Sequence, residues 1–188
     1  MKIGILGGTF NPIHIGHLIL AEEVREQLDL AKVIFVPTNL PPHKDTTEVA
    51  EATHRFRMIK CAIKGNRFFA VSDIEIKRNG LSYTIDTIRA LKEKHPQDEL
   101  YFITGSDLLK YLDGWKDLNE VLKMVKFVVA TRPGFELNKI PEYISTIAIR
   151  AVDVSGFSIR QCIKENKSVR YLMPDAVFKY ITKHRLYR

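Results

Sequence analysis

The chain of 188 residues is expected to belong to the α/β class, with a single doubly wound parallel sheet covered by helices on both faces. Apolar runs of strand length alternate with amphipathic helical patterns from one end of the chain to the other. Neither an internal repeat nor a low-complexity linker interrupts this alternation. With 45% hydrophobic residues, a chain of this length can bury one good core.

The first half of the chain contains two strand patterns, each followed by a helix pattern. The apolar run "KIGIL" at 2–6 predicts a strand, and the segment 15–28 predicts a helix. The residues spaced for the buried face of that helix are Leu18, Ala21, Val24 and Leu28. The run "KVIFVP" at 32–37 predicts a second strand, and a polar loop with two prolines follows at 38–51. The segment 54–64 then predicts a helix, with Phe56, Ile59, Ala62 and Ile63 on its apolar face.

The second half continues the alternation. The stretch "RFFAVSDIEI" at 67–76 predicts a strand, and 84–95 predicts a helix that stops before Pro96. Short helices are expected at 107–112 and 117–124. Three further buried strands are predicted: "LYFIT" at 100–104, "KFVVAT" at 126–131 and "TIAIRAV" at 146–152.

The predicted order of elements indicates a Rossmann-like arrangement. Residues 174–184 predict a closing helix with Pro174 at its first turn. We expect one domain over 1–188, with a C-terminal helical part of about 157–188 packed on it. In such sheets a ligand binds outside the carboxyl ends of the strands, at the point where strand order reverses.

The charge of the chain indicates an anionic partner. The net charge is +7, and residues 150–188 hold nine basic residues against three acidic ones. These basic residues are not interleaved with stacking aromatics, so charge does not decide between a nucleotide, a nucleic acid and a solvated face. No segment has the length or composition of a membrane span or signal peptide, which favours a cytoplasmic protein. Cys61 and Cys162 lie far apart in helical patterns and are expected to be reduced, packed thiols.

The stretch "GGTFNPIHIGH" at 7–17 is the strongest candidate for a functional loop, because it follows the first predicted strand directly. Gly7 and Gly8 allow a tight turn and the close approach of a bulky anion to the backbone. The helix that follows would point its free N–H groups and its positive dipole end into the same crevice, which suits phosphate. His14 and His17, three residues apart, would project from one side of that helix, and Gly16 leaves room between them.

Other motifs that bind nucleotides or metals fit this stretch less well. It does not match a GxGxxG fingerprint, and no Walker GxxxxGK[ST] sequence occurs, which disfavours dinucleotide-dependent hydride transfer and P-loop hydrolysis. Two histidines could ligate zinc, but neither HExxH nor CxxC supplies the third ligand of a catalytic site. A phosphate-binding loop is therefore the preferred interpretation.

The stretch "GGTFNPIHIGHL" resembles the signature of the nucleotidylyltransferase superfamily, whose HxGH element is matched by residues 14–17. The longer pattern resembles the bacterial nicotinate mononucleotide adenylyltransferases, which make nicotinate adenine dinucleotide from ATP and nicotinate mononucleotide. The resemblance covers the whole chain, in the order and spacing of that family. The matching segments are "NLPPHK" (39–44), "SYTIDT" (82–87), "YFITGSD" (101–107), "GW" (114–115), "RPG" (132–134), "VSGFSIR" (154–160) and "LMPDAVFKYI" (172–181).

The resemblance implies roles for individual residues. The catalytic groups would be His14, His17 and Arg160, which would hold the ATP phosphates and the charge that develops during transfer. ATP would also contact Gly7, Gly8, Thr9, Phe10, Gly16, Gly105, Asp107, Ser155 and Ser158. The mononucleotide would contact Asn39, Lys44, Thr84, Trp115 and Lys116, with Trp115 stacked on the nicotinate ring and N–H groups near Thr84 and Lys116 receiving its carboxylate. The implied cofactor is a magnesium ion (Mg2+), bound mainly through the ATP phosphates.

Several of these residues also have a purely structural interpretation. Trp115 could be a core residue, although its polar neighbours favour a partly exposed ring. Asp107 could cap the helix that follows it, and Lys44 could be a solvated lysine. The role of Arg132 stays open, as does the question of whether the chain forms a homo-oligomer.

The sequence departs from the family pattern at two places. The family usually has a pair of hydroxyl residues in the late motif, whereas here Ser155 is followed by Gly156 and Phe157, and a hydroxyl returns at Ser158. Either serine could cap the helix and contact phosphate. Many members also have Asp where this chain has Asn11, so we expect easier approach of the triphosphate and a weaker direct hold on magnesium.

The expected reaction is adenylyl transfer without a protein nucleophile. ATP and nicotinate mononucleotide are the expected partners, and no nucleic acid or membrane is expected to bind. The alternatives are a pantetheine-phosphate adenylyltransferase, which shares the HxGH chemistry, and a non-catalytic nucleotide-binding protein. Pyrophosphate release with different acceptors would distinguish them.

Overall fold

A computed structural model describes residues 1–40, 47–78, 80–131, 140–150 and 152–188, without the side chains of Asp107, Leu108, Lys110 and Asp113. Within these ranges it contains a six-stranded, all-parallel sheet with the order β3-β2-β1-β4-β5-β6. The strands are β1 (Lys2–Gly8), β2 (Lys32–Pro37), β3 (Phe69–Val71), β4 (Glu99–Gly105), β5 (Lys126–Thr131) and β6 (Ile144–Ala148). Strand order reverses between β1 and β4, which places the expected ligand crevice at their carboxyl ends.

Helices cover both faces of the sheet. They are α1 (Ile15–Gln27), α2 (Ala52–Ile63), α3 (Ile74–Arg78), α4 (Thr84–Lys94), α5 (Leu118–Met124), α6 (Gly156–Lys164) and α7 (Asp175–His184), with a 3-10 helix over Ser106–Gly114. The predicted doubly wound α/β fold is thereby confirmed. None of the described helices has both the length and the apolar character that crossing a membrane requires.

The two helical layers follow from the alternation of side chains along each strand. Val33 and Phe35 of β2 join the core cluster that includes residues of α1, α2, α6 and α7. Ile34 and Val36 of the same strand join the cluster on the other face, which includes residues of α4 and α5. Strands buried on both faces read as continuous apolar runs, which is why the sequence predicted them well.

Two predicted strands are shorter in the structure. In the segment 67–76, β3 ends at Val71, and α3 begins at Ile74. The Ser72 hydroxyl accepts a hydrogen bond from the Ile74 N–H at 3.4 Å, and the Asp73 carbonyl accepts one from Lys77, so local capping starts a helix where the apolar pattern predicted strand. The last strand, β6, spans 144–148 rather than 146–152 and pairs with β5 only as far as Ala148.

Helix α2 buries a face that includes the predicted Ile59 and Ile63 but is rotated toward Arg55 and Met58. Its buried side chains are Arg55, Met58, Ile59 and Ile63, whereas Phe56 is only half-buried. The apolar pattern predicted that Phe56 is buried. In the structure Arg55 is buried instead, because its guanidinium donates hydrogen bonds to backbone carbonyls. Hydrogen bonds run from Arg55 to the carbonyls of Ala50 (2.7 Å), Thr9 (2.9 Å) and Asn39 (3.1 Å).

Arg55 thus ties together three segments that lie near the carboxyl ends of β1 and β2. Thr9 follows β1, Asn39 follows β2, and Ala50 precedes α2. A planar guanidinium with five donors can satisfy three carbonyls at once, which the point charge of a lysine does less well.

We expect Arg55→Met to destabilise the protein by about 2–4 kcal/mol, because three carbonyls lose their donor while the apolar volume is largely kept. Chemical denaturation with urea measures the change in the free energy of unfolding. Arg57→Met is the matched control, since Arg57 lies on the exposed side of the same helix and should change stability by no more than about 0.5 kcal/mol. Equal effects of the two substitutions would contradict the structural role given to Arg55.

Candidate active site

The crevice where strand order reverses is lined by glycine at the ends of two neighbouring strands. β1 ends at Gly8 and β4 ends at Gly105. A Cβ atom added at Gly105 would meet nothing within 4 Å, whereas one at Gly8 would lie 3.2 Å from the Phe10 ring. The missing side chain therefore leaves open space for a ligand at Gly105, whereas at Gly8 it makes room for the Phe10 ring.

The loop between β1 and α1 is held in one conformation by its neighbours. Phe10 adopts a left-handed backbone (φ 49°), at a cost of about 1–2 kcal/mol. Burial of its ring against Phe35 and His17, with centroid distances of 5.8 and 5.0 Å, offsets that cost. The Asn11 amide is fully engaged, since its Oδ1 accepts from the Ala50 N–H at 3.1 Å and its Nδ2 donates to the Glu48 carbonyl at 2.9 Å.

His14 and His17 lie together at the start of α1. His14 is the N-cap residue, and its backbone N–H donates to Nδ1 of His17 at 3.3 Å. The two rings are in contact, with their centroids 3.8 Å apart and their planes tilted by 36°. Burial, together with the neighbouring His14, holds the pKa of His17 well below its usual value. A neutral imidazole whose Nδ1 accepts a hydrogen bond carries its proton on Nε2, so His17 can offer a neutral N–H donor.

The late motif forms the N-terminal end of α6. Ser155 is the N-cap, and its Oγ accepts from the Ser158 N–H at 3.1 Å. The Ser155 N–H donates in return to the Ser158 hydroxyl at 3.4 Å, so the two serines cap the helix reciprocally. The resemblance placed Arg160 at the beginning of its helix, but α6 begins earlier, at Gly156, because of this capping.

The two departures from the family pattern are in direct contact. The Asn11 carbonyl accepts a hydrogen bond from Arg160 Nη1 at 2.9 Å. A Cβ atom added at Gly156 would lie only 2.8 Å from that carbonyl oxygen. Gly156 therefore lets α6 approach the Asn11 loop, and the guanidinium from residue 160 reaches the loop that leads into His14. Arg160 thereby contacts the loop that leads into His14; its convergence with the two imidazoles on ATP stays a prediction.

Sequence patterns missed the charged neighbours of Arg160. Glu48 forms ion pairs with Arg160, at 3.5 Å, and with Lys164, at shorter range. The Lys164 and Arg160 cations hold the pKa of the Glu48 carboxyl below its usual range, which keeps it ionised. Only the i, i+4 spacing of Arg160 and Lys164 was visible in the sequence, whereas Glu48 comes from the distant loop before α2.

Most residues predicted to bind a mononucleotide lie around the N-terminus of α4. The Asn39 N–H donates to the Ser82 hydroxyl at 3.0 Å, and the isolated bridge between Leu40 and Leu81 continues this contact. Thr84 is the first residue of α4, whose first N–H groups have no partner within the helix. The Lys116 ammonium lies 4.8 Å from the centroid of the Tyr83 ring, next to Thr84.

Trp115 has a mixed environment. Its ring is half-buried and packs edge-on against Phe102 and Phe127, with centroid distances of 5.6 and 5.8 Å. One side of the Trp115 ring therefore packs on the core, as the structural interpretation expected. The rest of the ring is accessible to solvent, as the ligand-facing interpretation expected.

Three predicted positions lie outside what the structure describes. Lys44 and Arg132 fall in the ranges that are not described, and so does the side chain of Asp107. The backbone places Asp107 inside the 3-10 helix, whose N-cap residue is Gly105, so Asp107 is not the N-cap residue of this helix.

The described residues contain no group of three or more His, Cys, Asp or Glu side chains that could hold a metal ion. Asn11 has both amide atoms bound to backbone groups. Magnesium typically keeps several waters and binds substrate phosphates, and it does not need an all-protein cage. The residues present therefore suit a metal that arrives with phosphates.

Known proteins resemble this chain over most or all of its length. The cytidylyltransferase-like family model matches residues 5–152. A protein of Desulfitobacterium hafniense (strain Y51) is 45% identical, with 100% of this chain and 96% of that protein covered. A protein of Bacillus pumilus is 43% identical, with 99% and 98% covered. Both are named "Probable nicotinate-nucleotide adenylyltransferase".

A solved structure supports the fold independently. The nicotinic acid mononucleotide adenylyltransferase of Plasmodium falciparum, complexed with NaAD, superposes with a TM-score of 0.82 at 22% identity, covering 99% of this chain and 97% of that one. From the family match and the full-length relatives, the chain belongs to the cytidylyltransferase-like family and, within it, to the nicotinate-nucleotide adenylyltransferases.

Proposed function

We propose that the protein transfers the adenylyl group of ATP to nicotinate mononucleotide, which gives nicotinate adenine dinucleotide and pyrophosphate in NAD biosynthesis. The observation that carries the proposal is the hydrogen bond from Arg160 to the Asn11 carbonyl, because it brings a late cation to the loop that presents His14 and His17. The full-length relatives named for this activity support it.

The ATP half of the site would act by alignment and charge. A phosphate oxygen of the mononucleotide attacks the α-phosphorus of ATP and forms a new P–O bond. The bond from that phosphorus to the oxygen bridging the α- and β-phosphates breaks, and pyrophosphate leaves on the opposite side. His17 would donate its Nε2–H to a phosphate oxygen, while Arg160 would supply a permanent positive charge.

The remaining ATP contacts would be made by the strand ends and helix ends. Gly7, Gly8 and Thr9 would line the phosphate pocket, and Gly16 would let the His14 ring pack against α1, since a Cβ atom there would lie 3.2 Å from that ring. The N-terminus of α6, capped by Ser155 and Ser158, would add N–H groups and a favourable dipole for phosphate. Phe10 would act by packing on His17, since its own ring is buried. Contacts of the ribose with Gly105 and Asp107 stay predictions from the resemblance.

The acceptor half would be formed by the segments around α4. Asn39 would face the mononucleotide ribose and phosphate, together with Lys44 as implied by the resemblance. The N–H groups near Thr84 and Lys116 would receive the nicotinate carboxylate, and the accessible part of Trp115 would stack on the ring. Arg55 joins the two halves, because it binds the Thr9 carbonyl on one side and the Asn39 carbonyl on the other.

Magnesium would enter on the ATP phosphates and neutralise part of their charge. The protein residues that would face those phosphates are His14, His17 and Arg160, which donate hydrogen bonds and do not compete for the metal.

Pyrophosphate release from ATP and magnesium tests the proposal when nicotinate mononucleotide, nicotinamide mononucleotide and phosphopantetheine are offered in turn. We expect release with nicotinate mononucleotide, slower release with the amide and none with phosphopantetheine, because the carboxylate would meet the α4 N-terminus. Release only with phosphopantetheine would identify a pantetheine-phosphate adenylyltransferase. ATP binding without release in any arm would identify a non-catalytic nucleotide-binding protein.

We expect His17→Ala to lower kcat by at least about a hundredfold, because a donor to the transition state is lost. His17→Gln should retain more activity than His17→Ala, since its amide N–H can replace a neutral imidazole donor. Steady-state kinetics measure both variants, and circular dichroism checks that they fold. His95→Ala is the control, because His95 pairs with Asp98 before the amino end of β4, away from the carboxyl ends of the strands. A folded His17→Ala variant with normal kcat would refute the role of His17.

A further inference from the structure

Arg160, Lys164 and Glu48 form a small charged cluster beside the Asn11 loop. One carboxylate oxygen of Glu48 lies 3.5 Å from Arg160 Nη2, and the other contacts the Lys164 ammonium. The backbone of Glu48 is fixed as well, because its carbonyl accepts a hydrogen bond from the Asn11 amide at 2.9 Å. The carboxylate of Glu48 is thereby held against Arg160, the cation that would bind the ATP phosphates.

The guanidinium of Arg160 still has donors to offer. Nη1 is used by the Asn11 carbonyl, the contact of Nη2 with Glu48 is long, and the buried Nε has no hydrogen-bond partner among the described residues. Charge-assisted bonds to a carboxylate are usually much shorter than 3.5 Å. Glu48 therefore satisfies Arg160 incompletely, and a better anion could take its place.

The geometry of α6 puts a second cation within reach of the same anion. Residues 160 and 164 are one helical turn apart, and side chains on a helix lean toward its N-terminus, so the Lys164 ammonium leans toward Arg160. The Glu48 carboxylate touches both groups, which demonstrates that one anionic group can bridge them. No other residue of the described ion pairs contacts Lys164.

The ion pairs that Glu48 forms with Arg160 and Lys164 are exposed enough to solvent to break. The side chains of Glu48 and Lys164 are 47% and 40% exposed, whereas that of Arg160 is only 15% exposed. Ion pairs between exposed groups contribute little free energy, so Glu48 can be displaced at small cost. A triphosphate carries several negative charges and would gain more from the same two cations than a single carboxylate does.

We propose that Lys164 is a second cation for the terminal phosphates of ATP, and that Glu48 occupies this subsite until the triphosphate displaces it. The inference rests on the proposed function, since it deepens the description of the same ATP half. Lys164 is then a binding residue for the leaving pyrophosphate, and Glu48 lowers the affinity of the protein for ATP. Neither residue takes part in bond making or breaking.

The dissociation constant of ATP with magnesium, measured by calorimetry without an acceptor, tests the inference. We expect Lys164→Gln to raise this constant roughly three- to tenfold and Glu48→Gln to lower it roughly two- to fivefold, because each change alters one exposed ionic contact. Matched controls make the same charge changes nearby: Lys167→Gln, at a lysine paired with Glu165, and Glu51→Gln, before α2. Both controls should stay close to the wild-type constant.

The inference is overturned if Lys164→Gln binds ATP as Lys167→Gln does, or if Glu48→Gln binds it no more tightly than Glu51→Gln does. All four positions are at least partly exposed, and circular dichroism verifies that each variant is folded. Failure of the proposed function has a different signature, since the wild-type protein would then bind ATP without releasing pyrophosphate in the presence of nicotinate mononucleotide. The binding constants would still decide the roles of Lys164 and Glu48 in that case.

Discussion

Two guanidinium groups hold the loop after β1 by its backbone carbonyls. Arg55 donates to Thr9 and Arg160 donates to Asn11, from α2 and α6 respectively. Between these two carbonyls the chain passes through the left-handed Phe10, and three residues after Asn11 it reaches His14. The position of the imidazoles relative to the sheet therefore depends on these contacts, and so does the path of α6 beside them.

The two arginines make similar contacts but differ in what they leave free. Arg55 is fully buried, and its guanidinium is used on three carbonyls, so it has a structural role. One Nη group of Arg160 donates to a backbone carbonyl. Because that carbonyl is neutral, only Glu48, among the described residues, opposes the positive charge of Arg160. A charge that is positioned by a neutral partner stays available for an anionic ligand, which is the preorganisation that phosphoryl chemistry needs.

The elements that were predicted correctly are those in which local pattern and tertiary environment agree. The continuous apolar runs of β1, β2, β4 and β5 predicted buried parallel strands, and the stretch "GGTFNPIHIGH" predicted the loop at the switch point. The predictions failed where hydrogen bonds, which the apolar pattern does not record, decided the structure. Apolar spacing could not reveal that Arg55 turns inward, because the reason is a set of carbonyls from three distant segments. Likewise, neither the contact of Gly156 with Asn11 nor that of Glu48 with Lys164 leaves a local signal.

Catalysis in this arrangement requires that the fixed loop keep His17 as a neutral Nε2–H donor for the ATP phosphates. The most direct measurement is a 15N–1H NMR correlation spectrum of the histidine rings at about pH 6, recorded with and without a non-hydrolysable ATP analogue. We expect a neutral Nε2–H tautomer for His17 at that pH, because burial and His14 hold its pKa well below its usual value. We also expect the Nε2–H resonance to shift when the analogue binds. A protonated ring, an Nδ1–H tautomer or an unchanged resonance would contradict it.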